Sequence, residues 1–357
     1  MKILDIYILK RFLFTFFFVV LLIVSIIVVI DFTEKNEDFI KLTLSYVITE
    51  YYFNFVPYIT NMISPLMIFI AAVFVTSRMS AHSELVAILS SGVSFKRILV
   101  PFIIGSVFIG CISFWLGGWV IPQANKKRVA FENEYTRHKF NYEGKNIHFK
   151  VAPSTYAYFF GYNNQTDMGF QFTLETIEGT RLKSKLKAEK ITWDSTKTKW
   201  KIENYTIRTI KEHGKEVITQ GFSIDSAINV SPRDFRSNYL LHETFTMGEL
   251  NNYINLLKER GAESVEVYLT EKYERYTYPF SMVILTVIGV VVSAKKSREG
   301  TGYKIAFGFL LAFVYIIFVM MSRNLSYIGG VGPLLASWIP NIIFSGIGLI
   351  MYKTIPK

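Results

Sequence analysis

Glu84 is the side chain of this sequence best placed to do chemistry, and that chemistry is recognition. It opens the run Glu84-Leu85-Val86-Ala87-Ile88-Leu89-Ser90-Ser91-Gly92. Ser80 can cap a short helix here, which puts Glu84 in the first turn, where the helix dipole favours an anion. Leu85, Ile88 and Leu89 then share one face, and Gly92 supplies the stop. A helix over about residues 80–92 would show an anion beside an apolar ridge. A second set is cationic: Lys126, Lys127, Arg128, Arg275 and Arg323 stand at the ends of apolar stretches. Such groups can hold phosphate oxygens, or they can anchor the ends of membrane spans. Both readings are open at this level, with Arg323 and the Lys126 cluster the best-placed phosphate ligands. Asp31 is the acidic exception, suited to pairing with a nearby cation.

Bond-breaking chemistry has no comparable support. No G-x-x-x-x-G-K-[ST] run occurs to cradle a nucleotide phosphate, and there is no H-E-x-x-H. The five histidines, His82, His138, His148, His213 and His242, lack metal-ligand spacing. A Ser/His/Asp set is defined by geometry, and nothing in the order of residues favours one. No charge lies deep in an apolar stretch, as a proton-coupled pump would need. The reading is of a chain that is not an enzyme and binds no cofactor or metal.

The elements that must position these residues are six long uncharged stretches, 12–30, 51–77, 98–125, 276–294, 305–322 and 324–352. Each is long enough to cross a bilayer. Hydrophobic residues make up 51% of the chain and charged residues 19%, too apolar for an ordinary soluble protein of this length. The first stretch has a basic start, but no A-x-A site follows it, so it reads as an anchor rather than a cleaved signal. The expected fold class is membrane α-helical, with two three-helix halves flanking an inserted water-facing β-domain. The expected divisions are 1–125, 126–272 and 273–357. The lone Cys111 falls inside the third stretch, so no internal disulfide can brace the insert.

Loop charges set the orientation. Lys2, Lys10, Arg11, Arg78, Lys96, Arg97, Lys295, Lys296, Arg298, Lys304, Lys353 and Lys357 share one side. The opposite short loops hold only Lys35, Lys41 and Arg323, beside the acidic Asp31, Glu34, Glu37, Asp38 and Glu50. The positive-inside rule therefore puts both termini in the cytoplasm and the insert outside it. The net charge of +11 is thus a membrane-topology signal and not one for nucleic acid.

Within the insert the period changes to two. Ile147, Phe149 and Val151 alternate with polar residues, as do Phe170, Phe172 and Leu174, and then Leu182, Ser184, Leu186 and Ala188. Ile191 and Trp193, Trp200 and Ile202, and Tyr205, Ile207 and Thr209 continue the pattern. Such segments between turn clusters predict an antiparallel sheet or sandwich. Lys126–Lys139 and Met247–Arg260 predict helical connectors. The Lys183, Lys185 and Lys187 row reads as a solvated strand face that discourages edge pairing, in preference to a phosphate site. The aromatic run Tyr156, Tyr158, Phe159, Phe160 and Tyr162 fits core packing or a lipid-sized slot.

The helix opened by Glu84 is too short to span. It can lie on lipid or dock into a partner's groove, and its polar face of Ser, His and Glu, without Lys or Arg, favours the partner. This loop resembles the coupling helix of the LptF/LptG permease family, which serves lipopolysaccharide export. Glu271-x-x-Glu274-Arg275-x-x-x-Pro279 resembles that family too, as do Lys296-x-Arg298-x-Gly300-x-Gly302 and Ala336-x-Trp338-x-Pro340-Asn341. Leu4-Asp5-Ile6-Tyr7-Ile8 and Gly118-Trp119-x-x-Pro122-Gln123 are closer to LptG than to LptF. The resemblance covers essentially the whole chain and implies a jellyroll-like insert. It implies a second LptF/LptG-type permease, two copies of a cytosolic LptB-type ATPase that uses the ATP, an LptC-type periplasmic β-jellyroll protein, and lipopolysaccharide as cargo. Cargo would enter between the two three-helix halves in the inner membrane, and Glu84, with Leu85, Ile88, Leu89 and Gly92, would meet the ATPase. Two other readings differ in class. One is a mechanotransmitting ABC subunit that carries no lipid, and the other a membrane-anchored structural or sensor module.

Overall fold

A computed structural model describes residues 3–136, 145–211, 215–235, 240–260, 265–294 and 301–353. Along the chain run α1 (Ile3–Glu34), α2 (Leu44–Ala81), α3 (Glu84–Ser90) and α4 (Phe95–Thr136). Strands β1 (Lys145–Ala152), β2 (Thr155–Asn163), β3 (Met168–Glu178), β4 (Arg181–Asp194), β5 (Lys199–Ile210) and β6 (Glu216–Ser226) follow. Then come α5 (Met247–Arg260), α6 (Val265–Ala294), α7 (Thr301–Tyr327) and α8 (Pro333–Lys353). Helices α1, α2, α4, α6, α7 and α8 are long and apolar enough to cross a membrane. The chain divides into a membrane unit (1–136, 242–252 and 264–357) and a β-unit (137–241 with 253–263). The segments 126–136, 242–252 and 264–272, which polarity alone would give to the insert, thus belong with the helices.

In the membrane unit α1 buries only a stripe, Ile8, Phe12, Phe16, Val20 and Val24, one residue per turn. Much of the rest of its surface is apolar and exposed, among it Phe14, Phe17, Phe18 and Leu21, as expected of a helix whose solvent is lipid. Helix α6 is the hub and packs on α2, α4, α7 and α8. Close crossings fix it. A Cβ on Gly110 would stand 3.4 Å from the Pro279 backbone, and one on Gly289 would stand 3.1 Å from the Phe69 carbonyl. Small residues are what let helix backbones approach in lipid. These crossings pack the two three-helix halves of this chain against each other at Gly110 and Gly289. The wide π-type turns Val47–Tyr52 and Leu116–Val120 fall a few residues before Pro57 and Pro122, which lack the amide that would hold a regular turn. The last span begins at Pro333 and not at Asn324. Residues 324–327 finish α7, and the break comes at Gly329, whose φ of +73° ends the helix without strain.

The β-unit is one antiparallel meander in the order β1-β2-β3-β4-β5-β6, the sheet and not the sandwich of the two forms the pattern allowed. Its core is aromatic: Phe159, Phe172 and Trp200 are fully buried, with Val230 and Phe235 laid over them by the segment after β6. Trp200 donates its indole N–H to the Val230 carbonyl at 2.6 Å, and Phe235 stacks on Tyr162 at 3.7 Å. Phe159 and Trp200 sit on strands three apart, about 14 Å in a flat sheet, yet their rings are 6.1 Å apart. The sheet is therefore curled around its aromatic face.

The curl has a visible cause. Gln171 and Asn204 adopt left-handed backbone, φ +47° and +49°, and lie on one line across the sheet with Glu189 between them. Asn204 Nδ2 donates to Glu189 Oε2 at 3.0 Å along that line. At this kink the buried side switches parity, so Ala188 and Ile191 are both core although three residues apart, as are Phe159 and Tyr162. β6 is a strand the alternation did not reveal, because both of its faces are largely exposed. The Lys183 row lies on β4, an interior strand, so it guards no edge. Lys183 and Lys185 instead pair with Glu178 and Glu175 of β3, each at 2.5 Å.

Candidate functional site

Helix α3 follows α2 through His82 and Ser83. Ser80 does not cap it: that residue is buried in the last turn of α2, and the N-cap is Ser83 with φ +60°. Left-handed serine is uncommon, and here it turns the chain sharply enough to start a second helix two residues after the first ends. Gly92, at φ +85°, is the stop that the sequence predicts. Glu84 accepts from Arg11 at 3.0 Å and from the Tyr7 hydroxyl at 3.2 Å, so α1 holds its carboxylate in place. Leu85 is buried, and Ile88 and Leu89 are partly buried against the same helical core. The apolar ridge of α3 therefore faces its own chain. What α3 shows outward is Val86, 45% exposed, with Ala87 and Ser90. Beside it Asp5, buried in α1, receives Arg97 Nη2 at 2.6 Å.

At the opposite ends of the spans the predicted cations come together with Asp31, which the sequence reading named, and with acids that it did not propose as site residues. Asp31 pairs with Lys35 one turn on, at 2.8 Å, and accepts from the hydroxyls of Tyr51 and Tyr52 at 3.1 Å. Lys35 reaches Glu132 at 3.6 Å, and Glu132 meets Arg128 at 3.5 Å. Arg128, itself buried, bonds Glu243 at 2.9 Å and lies 4.0 Å over the Tyr58 ring. Five alternating charges thus run from α1 through α4 to the short helix Leu241–Thr244. Glu243 is pushed up to about 7, chiefly by burial and then by the nearby Glu271 carboxylate, which together outweigh Arg128. Burial likewise lowers His242.

Two further pairs continue the array on α6 and α7. Arg275 bonds Glu271 at 2.8 Å and donates to the Phe245 and His242 carbonyls at 2.8 and 3.1 Å. Arg323 grips both oxygens of Glu274 with its Nε and Nη2. Lys126 binds Glu249 at 2.7 Å on an exposed surface, and that hydrogen bond, with one from the Thr246 amide, lowers Glu249. Thr246 and Glu249 also form the reciprocal cap that starts α5. Glu243, Glu271, Glu274, Arg275 and Arg323 line a polar chamber of about 140 Å³ between α2, α4 and α6. An apolar cleft of about 390 Å³ between α2, α6, α7 and α8 adjoins it, sharing Met62, Glu274, Tyr278 and Arg323.

Six spans, an inserted antiparallel sheet and a short helix tied between the second and third spans agree with one family over its length. The family described as lipopolysaccharide export system permease LptF/LptG matches residues 6–354. The chain belongs to the LptF/LptG family. A comparison with curated proteins gives no match. As an LptF/LptG member it is a multi-pass inner-membrane permease subunit of a lipopolysaccharide export system, and the match does not separate LptF from LptG.

Against that membership, the predicted residues divide. Glu84, Leu85, Ile88, Leu89 and Gly92 are on or beside one helix as expected, but the three apolar ones are used internally. Lys126, Arg128, Arg275 and Arg323 each carry a carboxylate partner, and Asp31 finds its partner in Lys35, one turn away. Lys127 is exposed and makes no ion pair among the described residues. The missed acids had unequal signals. Glu271 and Arg275 are spaced i,i+4 on one helix, a pairing that sequence can show. Glu132 and Arg128 share that spacing. Glu243 had none, since only the fold brings it to Arg128. The basic loop and the Lys296–Gly302 motif lie at 295–300, outside the described residues but for its last two positions.

Proposed function

We propose that this chain is one of two permease subunits of an ABC exporter that draws lipopolysaccharide from the outer leaflet of the inner membrane and hands it to a periplasmic β-bridge. Loop charge orients it with both termini and α3 in the cytoplasm and the sheet in the periplasm. Two copies of an LptB-type ATPase supply the energy in trans. Their contact on this chain is the outward face of α3, Val86, Ala87 and Ser90, with Glu84 held by Arg11 and Tyr7 to present the helix at a fixed angle. The tied, sharply turned α3 is the observation that carries the reading.

Cargo enters between the transmembrane halves that this chain and a second LptF/LptG-type permease contribute. Lys127 is the cation left to meet a head-group phosphate, and Arg323 keeps an exposed edge beside its carboxylate. An LptC-type periplasmic β-jellyroll protein pairs along β6, an edge strand that shows Ile218 and Phe222 to solvent at 62% and 89%. Such an edge invites strand addition. The Leu4–Ile8 and Gly118–Gln123 motifs favour the LptG side of the pair. No cofactor is bound by this chain itself.

Native mass spectrometry of the tagged chain from its own membranes tests this. We expect this chain with a second six-span subunit, two ATPase copies and a glycolipid. Val86→Arg should lose both ATPase masses while keeping the second permease. This chain alone, or an unchanged complex in Val86→Arg, overturns the reading of α3.

A further inference from the structure

We infer that α2 and α8 carry a coupled pair of proline hinges, at Pro65 and Pro340, and that Tyr278, Ser322 and Asn341 are the positioning residues that pin them. A proline inside a helix has no amide, so the carbonyl four residues before it loses its partner. For Pro65 that carbonyl belongs to Asn61, and for Pro340 to Ala336. In a membrane span no water takes the missing place, so a neighbouring helix must. Tyr278 of α6 lays its hydroxyl 2.6 Å from the Asn61 carbonyl and 2.7 Å from that of Met62. Ser322 of α7 donates to the Ala336 carbonyl at 2.5 Å. Each freed carbonyl is bonded to another helix instead of its own.

Both turns carry a second mark of bending. Ser64 donates back to the Thr60 carbonyl at 2.6 Å and Ser337 to the Pro333 carbonyl at 2.8 Å, a bond that bends helices. Helix α6 joins the two. Asn341, next to Pro340, donates from Nδ2 to the Thr277 carbonyl at 3.2 Å and accepts from the Tyr315 hydroxyl at 3.0 Å. Thr277 and Tyr278 are consecutive, so the hinges of α2 and α8 are pinned to one point on α6. Beyond Pro65, α2 runs to Ala81 without another proline and leads directly into α3. A push on α3 is therefore carried by residues 66–81 and absorbed at Pro65, where the helix ladder is open. That last step rests on α3 being the ATPase contact; the pins do not.

Hydrogen exchange of the purified full chain in detergent, read by mass spectrometry over 61–70 and 336–345, tests the pins. Tyr278→Phe takes the donor from the Asn61 carbonyl, and exchange over 61–70 should rise about tenfold. Pro65→Ala gives that carbonyl an amide of its own, so Tyr278→Phe with Pro65→Ala should exchange no faster than Pro65→Ala alone. Ser322→Ala and Pro340→Ala make the same cycle in α8, and serve if Tyr278→Phe does not fold. Asn341→Leu should quicken both segments. Unchanged exchange on losing either hydroxyl, no rescue by the alanine, or an Asn341→Leu effect confined to α8 would overturn the inference. In the complex with its ATPase, ATP should quicken exchange over 61–70 more than over 71–81, and an equal change in both would remove α2 as the lever. The pin cycles need no ATPase, so their failure and failure of the α3 contact are told apart.

Discussion

In the β-unit, Lys183–Glu178, Lys197–Asp225 and Arg208–Glu216 are ion pairs whose side chains are 36–59% exposed. In the membrane unit, Arg128, Glu132 and Glu243 are 5–14% exposed and each depends on the next. The residue types are the same, but water is not. An exposed pair exchanges hydration for a weak, screened attraction and contributes about 0–1 kcal/mol. A buried pair has already lost its hydration, so removing one partner strands the other. The first set keeps the sheet soluble. The second locks the ends of α1, α4 and α6 to the Leu241–Thr244 turn, and a permease that must move there has to rearrange it as a unit.

The sharpest way to break this comparison is Arg128→Met. It leaves Glu243 buried without its cation and Glu132 with only Lys35, and should cost about 3–5 kcal/mol, read as lost thermal stability of the purified protein. Adding Glu243→Gln should return part of that loss, and a fully additive double variant would show that the array is not coupled. Next in size is a pH effect. The folded-state pKa of Glu243, about 7, lies above that of an unfolded glutamate. The stability it contributes is therefore present at low pH and falls away as pH rises through about 7, by about 3 kcal/mol at most. Thermal unfolding between pH 5 and 8 should show this decline in the native chain and a flatter profile in Glu243→Gln. At the small end, Lys183→Ala should change stability by less than about 0.5 kcal/mol at any pH. A larger loss would mean that the lysine row does more than solvate the sheet.

Much of the architecture was legible because lipid and water impose separate periods on a chain. Six apolar runs, a stretch of alternation and an asymmetry of Lys and Arg are statements about solvent, and solvent acts residue by residue. Even the kink in the sheet left a trace, in the break of phase from Ala188 to Ile191 and from Ile202 to Tyr205. The sequence could also show that α3 is a short helix with an anion at its head and a glycine at its end.

What it could not show is which way that helix faces, since Leu85, Ile88 and Leu89 make as good a ridge for a partner as for their own bundle. Nor could it show that nearly every candidate cation has a carboxylate of its own. Pairs one helical turn apart, such as Glu271–Arg275, are written in the spacing. Arg128–Glu243 and Arg323–Glu274 join positions 115 and 49 residues apart. Only the packing of α2, α4, α6 and α7 brings those groups within reach and excludes the water that would otherwise solvate each charge alone.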